Sequence, residues 1–405
     1  MRKRQKLILA IAFGTLVLPL ASLLAQTTTP PAQTFSTTIY LDYRYFLSSS
    51  GPATLKPADP TLAYLSNQFI FRRAYFTYEN KISDNLKFRF RLDADNTANV
   101  TGVALTGTPV TGTSLSKDDK LRPFVKHLYF EWSNFLVENQ TLRVGMEETL
   151  TFNLTEARWG YRSVAKTLLD GYKDVTGVDI NASSADIGAS LQGSATKYLR
   201  YGVQVVNGPG YSHVETDKYK KFSGQLQLIP VSGFSVVGYI DTARQMPKSS
   251  ISGVPTDEVP TKPNATTYKL DAYFEMVKGL VLGGEWFVYK NDNNWYTKPG
   301  DATAQKYDIS GWSVFGRYVL MPDKLNAFAR YDSYTPNNHF VSAAGLAKAK
   351  DISMTIMGLD WAPLHSSLKF QPNISFVTYK DGTQYKATAT SNSDVLFNMT
   401  FFLSF

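Results

Sequence analysis

The 405-residue chain contains no cysteine and only four histidines, His127, His213, His339 and His365. Without cysteine there is no disulfide framework and no lipid anchored on a thiol. The histidines are scattered, and none neighbours a serine and an acid in a pattern that suggests a nucleophile, so no catalytic residues are expected and the chain is not read as an enzyme. Asp93-Ala-Asp95-Asn96 begins like a calcium loop but lacks the turn glycine at the sixth position and the closing glutamate; it is read as a charged strand end, and no metal or cofactor is expected. Beyond residue 24 no apolar run reaches about 18 residues, which leaves no candidate for a transmembrane helix. One-signed charge is also scarce. There are 42 Lys and Arg against 34 Asp and Glu, and Arg2, Lys3, Arg4 and Lys6 alone carry half of that +8 excess. The rest is mildly basic, with no case for nucleic acid; Lys218-Tyr219-Lys220-Lys221 is read as a solvated basic loop.

Those four basic residues open a signal-peptide pattern. They precede an apolar stretch, Leu7 to Leu24, broken by Gly14, Thr15, Pro19 and Ser22, and Ala25 offers a cleavage point before Gln26. The breaks disfavour an uncleaved anchor. A signal peptide over 1–25 and a short Pro-containing tether over 26–34 are therefore expected, with Sec-type export.

What the chain has in quantity is aromatic residues, 24 Tyr, 25 Phe and 6 Trp, together with 27 Gly. That mixture suits strands joined by turns. Apolar and polar residues alternate in segment after segment. In Leu86 to Asp95, Leu86, Phe88, Phe90, Leu92 and Ala94 take one face, and Lys87, Arg89, Arg91, Asp93 and Asp95 the other. Only a strand separates them so completely. Val395, Phe397, Met399, Phe401, Leu403 and Phe405 do the same in the last segment. Sixteen strands are predicted, near 35–47, 68–81, 86–96, 124–133, 140–150, 185–194, 198–207, 219–229, 233–244, 266–277, 280–291, 309–321, 325–335, 351–361, 367–380 and 393–405. The phase is ambiguous in the ninth and fourteenth.

Links after even-numbered strands are short, such as ISDN at 82–85, KG at 278–279 and PDK at 322–324. Links after odd-numbered strands are long, such as 97–123 and 151–184. Short turns at one rim and long loops at the other predict a transmembrane antiparallel β-barrel over 35–405. A secreted two-sheet protein would also alternate, with its apolar face turned inward. The barrel is favoured by aromatic residues at strand ends (Tyr43, Tyr45, Tyr78, Trp132, Trp286, Trp312, Phe405), which suit interfacial girdles, and by charges in mid-strand, which suit a wet lumen.

Three stretches resemble the phosphate-selective porin O/P family of bacterial outer-membrane porins. They are 69–95 (FIFRRAYFTYENKISDNLKFRFRLDAD, with its Arg72-Arg73 pair), 141–152 (TLRVGMEETLTF) and 186–210 (DIGASLQGSATKYLRYGVQVVNGPG), the last followed by FSGQLQLIP at 222–230. The C-terminal half matches only in strand rhythm and in its terminal Phe405. The resemblance implies a water-filled, trimeric pore in the outer membrane, bounded by lipid and favouring anions; it does not establish phosphate.

A pore selects by charge and width. Strand phase places Lys87, Arg89, Arg91 and Arg143 on the inner wall with Asp93, Asp95 and Glu131, along with Arg44, Arg73, Lys269, Arg317, Arg330 and Lys369 and the acids Asp42, Glu147, Asp271, Glu275, Glu285 and Asp332. Both signs occur in similar number, so a mixed-charge wall stands beside a basic ladder of Lys87, Arg89 and Arg91 as alternatives. The loop 151–184 is expected to narrow the lumen. A helix capped by Thr155 and running through EARWGYRSVAKTLLDG would set Arg158, Arg162 and Lys166 on one basic face as the constriction, unless Glu156 and Asp170 neutralise it. The expected function is passive diffusion of small hydrophilic solutes with a lean to anions. The alternative is a non-conducting barrel serving as receptor or adhesin.

Overall fold

The computed structural model describes residues 32–48, 67–95, 99–106, 112–118, 122–171, 183–212, 215, 218–245, 248–249, 262–296, 305–335, 351–379 and 393–405. The expected signal peptide, most of the tether and residues 172–182 of the long loop lie outside these residues.

All sixteen expected strands are present: β1 (Ala32–Ser48), β2 (Asn67–Lys81), β3 (Leu86–Asp95), β4 (Arg122–Ser133), β5 (Gln140–Glu148), β6 (Ala185–Thr196), β7 (Leu199–Val206), β8 (Lys221–Val231), β9 (Phe234–Ala243), β10 (Ala265–Phe274), β11 (Leu280–Tyr296), β12 (Gln305–Met321), β13 (Leu325–Thr335), β14 (Ile352–Trp361), β15 (Leu368–Tyr379) and β16 (Ser393–Ser404). Each pairs antiparallel with the next, and β16 closes on β1 with Ile39 opposite Leu403 and Tyr43 opposite Met399. The seam is clamped at its end by Thr37 and Phe405, whose backbone groups exchange hydrogen bonds of 2.6 and 3.0 Å. Closure leaves no edge strand, and every barrel strand finds a partner on both sides. Within the link from β3 to β4, Asn99–Thr106 and Gly112–Asp118 form a separate hairpin.

The alternation decides which way the sheet curls. Phe69, Phe76, Leu128, Phe130, Trp286 and Trp312 are exposed on the outer surface. Asp42, Asp93, Glu147, Lys269, Asp271 and Asp332 are buried inside. An apolar outer face with charges within is the inverse of a soluble sandwich, and hydrocarbon rather than water suits that surface.

Two register shifts break the alternation where it matters. Tyr40 of β1 faces Arg73 while Leu41 faces Phe71, so Arg72 is an extra residue, a β-bulge. Arg91 of β3 faces His127 while Leu92 faces Val125, making Lys126 a second bulge. An inserted residue lets two consecutive side chains leave on the same side of the sheet. Both doublets, Arg72-Arg73 and Lys126-His127, send their side chains into the barrel.

Candidate functional site: the lumen and its inserted loop

The segment after β5 turns into the barrel and crosses it. It forms a short helix, α1 (Asn153–Trp159), a turn, and a second short helix, α2 (Leu168–Gly171). The single long helix expected from the sequence does not form. Gly160 stands at the end of α1 with φ +72°, the left-handed conformation that terminates a helix. Thr155 is no cap either. Phe152 holds that position, and the Thr155 hydroxyl lies within hydrogen-bonding distance of Tyr273, Lys269 and Asp271.

Because the helix breaks at Gly160, Arg158, Arg162 and Lys166 share no face. Arg158 reaches towards the short-turn end, 3.5 Å from Glu275 and over the ring of Tyr273. Arg162 is bracketed by Glu156 and Asp170, the latter at 2.7 Å. Lys166 lies 3.4 Å from the same Asp170 and stays partly exposed. The acids that oppose these cations are thus folded in beside them. Burial pushes the Asp170 carboxyl up, but Arg162 and Lys166 outweigh it and hold it below the usual carboxylate range.

Two wall arginines grip the loop backbone. Arg72, paired with Asp42 at 2.9 Å, donates to the carbonyls of Ser163 and Val164. Arg330, paired with Asp332, donates to the carbonyl of Lys166. The Ser163 hydroxyl reaches Gln371 on β15, and Glu285 on β11 accepts from the Leu168 amide. On the side of β9–β14 two apolar clusters add to the polar contacts from Arg330, Glu285 and Lys269. Phe152, Leu168 and Leu169 pack with Ala243, Phe287, Ile309 and Tyr334. Trp159 and Tyr161 pack with Val237, Phe315, Phe328 and Ile356.

The opposite wall, β1–β5, is charged and cleft. Lys87 and Arg143 both bind Glu131, at 2.8 and 2.7 Å. Arg89 lies 3.4 Å from Glu79 and 3.9 Å from Glu148. Arg73 pairs with Asp93 and Asp95, and Lys126 with Asp93. Of the expected basic ladder only Arg91 forms no ion pair among the described residues; it donates to Thr77 and lies over Tyr75. The ring of Tyr75 is flanked by three cations, Arg73, Arg91 and Lys126, at 5.1 to 5.6 Å. A cleft of about 340 Å³ opens between this wall and the loop, lined by Tyr40, Tyr75, Arg91, Lys126, Glu148 and Arg162.

No family model and no curated relative matches the sequence. Solved structures do match the fold. An anion-selective porin from Comamonas acidovorans superimposes with a TM-score of 0.58 at 11% identity, over 93% of this chain and all of that one. The outer-membrane channel DcaP of Acinetobacter baumannii gives 0.55 at 11% identity, over 94% and 99% of the two chains. The outer-membrane protein OmpT of Vibrio cholerae, in its trimer form, gives 0.55 at 11%, over 93% and 100%. The chain has the fold of outer-membrane porins. At this identity the likeness speaks for the barrel, and the finer resemblance to the O/P family rests on the three sequence stretches alone.

Sequence reasoning missed Arg72 and Lys126 as inward residues and Glu148 as a partner of Arg89 and Arg143. The signal was there. In each doublet two polar residues stand side by side within an alternating strand, the pattern a bulge leaves.

Proposed function

We propose that the protein is an outer-membrane porin through which small hydrophilic solutes diffuse passively, with a preference for anions, phosphate among them. One observation carries this reading: a loop crosses the interior of a closed, apolar-skinned barrel and leaves a cleft where Arg91, Lys126, Arg162 and two tyrosines outnumber the acids Glu148 and Glu156. Cations clustered around a water-accessible gap lower the energy of a passing anion, and the low-dielectric surroundings strengthen the effect. In this reading Lys87, Arg89, Arg143, Asp93, Asp95 and Glu131 form the mixed-charge wall, and Arg158, Arg162 and Lys166 belong to the constriction. The apolar skin meets outer-membrane lipid, the short turns face the periplasm, residues 1–25 are removed on export, and three copies assemble as the trimeric neighbour does.

The test is a planar-bilayer recording across a salt gradient. Wild-type protein should give single-channel steps and a reversal potential of anion sign. The Arg158→Ala/Arg162→Ala double variant frees Glu156 and Glu275 and leaves Asp170 only Lys166, and its preference should fall roughly fivefold per lost cation at about 1 kcal/mol each. An unchanged reversal potential would refute the constriction role. A second reading has its own support: two apolar clusters pack the inserted loop against the inner wall on one side, as suits a non-conducting receptor or adhesin. It requires that no conductance appear at all. Current block at micromolar phosphate would single out phosphate as a bound solute.

A further inference from the structure

The short-turn end of the lumen holds a second cleft, about 410 Å³, on the far side of Gly160 from the first. Its charged lining is three cations, Lys278, Arg317 and Lys369, against two carboxylates, Glu275 and Asp360. Both carboxylates are engaged. Asp360 accepts from Lys369 at 3.2 Å, Asn326 at 3.2 Å and Gln371 at 2.9 Å, and Glu275 lies 3.5 Å from Arg158. Arg317 is different. It forms no ion pair and no hydrogen bond with any described residue, and its Nε is buried without an acceptor. Its guanidinium lies against Gly160, where an added Cβ would come within 3.1 Å of Nη1. A guanidinium carries five donors in a fixed fork that fits the two oxygens of a carboxylate. Tyr161 and Phe402 supply aromatic surface in the same cleft.

We propose that Arg317, backed by Lys369, forms a carboxylate-binding subsite beneath the loop that takes a small organic monocarboxylate with an apolar body. The proposal rests on the porin reading for its place on a solute route. Gly160 then has two roles: it ends α1, and it leaves the space in which the Arg317 fork stays open.

The probe is sodium benzoate, with sodium acetate, chloride and phosphate as comparisons, read by single-channel block and by calorimetric titration of the detergent-purified barrel. Benzoate should bind saturably and tighter than acetate or chloride, and block more strongly from the side of the short turns. Arg317→Gln should weaken binding by about tenfold. Arg317→Lys keeps the charge but loses the fork, and should lose most of the benzoate preference while reversal potentials in chloride stay near wild type. Strand content and melting temperature confirm that the variants are folded. Equal benzoate affinity in wild type and folded Arg317→Gln overturns the subsite, as does the absence of saturable binding in wild type. Arg317-dependent binding without any conductance upholds the subsite and defeats the porin reading instead.

Discussion

The two sides of the lumen rest on different physics. Towards β9–β14 the inserted loop buries its apolar side chains, with Trp159 edge-on to Phe315 and Phe328 at 5.6 and 5.9 Å, and Arg330, Glu285 and Lys269 add hydrogen bonds. Towards β1–β5 the wall is a lattice of ion pairs and cations over tyrosine rings, and a cleft remains open there. Apolar burial is non-directional and close-packed, so it anchors the loop and excludes water. Ion pairs are directional, and their net worth is modest once desolvation is counted. They hold a surface that a charged solute can touch. The difference teaches that the loop packs its apolar side chains against one wall, while Arg72 holds its backbone from the other beside an open cleft.

The largest effect should come from Trp159→Ala. Its indole is 1% exposed, and replacing a buried tryptophan by alanine costs about 3–5 kcal/mol. Loosening the apolar side should free the loop, raise single-channel conductance and flatten discrimination between solutes. Wild-type conductance in this variant would show that the loop is held from the charged side instead.

A smaller loss is expected from Arg72→Ala. Asp42 is fully buried and would keep only the Thr400 hydroxyl of its present side-chain partners, while the carbonyls of Ser163 and Val164 lose their donor. Leaving a buried charge unpaired costs about 3 kcal/mol, read as a lower melting temperature, with a noisier open state because the apolar anchor persists. A quiet channel at wild-type stability would count against the bulge as a latch.

The smallest effect concerns pH. The folded-state carboxyl of Asp170 is held below its ordinary value. Its stabilisation is therefore present above the unfolded pKa of about 3.9 and is lost as pH falls through the lower folded value. The stability gap between wild type and Asp170→Asn should close only below about pH 5. A gap that closes at or above pH 5 would mean that Arg162 and Lys166 do not hold the charge.

The barrel was legible in the sequence because alternation needs only local information. A strand facing lipid on one side and water on the other must alternate, and the hairpin rhythm then orders the strands. Strand boundaries agree within a few residues, and the strand expected over 86–96 runs Leu86–Asp95. The two strands with ambiguous phase, β9 and β14, are informative. Val237 and Ile356 face inward and are buried, so apolar residues occupy both faces there. They do so because the loop packs against them, which no reading of either strand alone reveals.

The sequence by itself determined the closed sixteen-stranded barrel, its apolar skin and the presence of mixed charge within. Only the tertiary structure decided which charges remain available. Period-two alternation says which side of the sheet a residue takes, but not which residue 91 positions away lies across the lumen. Arg72 meets the carbonyl of Ser163, Arg162 sits between Glu156 and Asp170, and the Arg317 Nε is left without an acceptor among the described residues. Those outcomes depend on a left-handed glycine and on two one-residue bulges. A single residue's departure from regular geometry redirects the side chains that line the lumen.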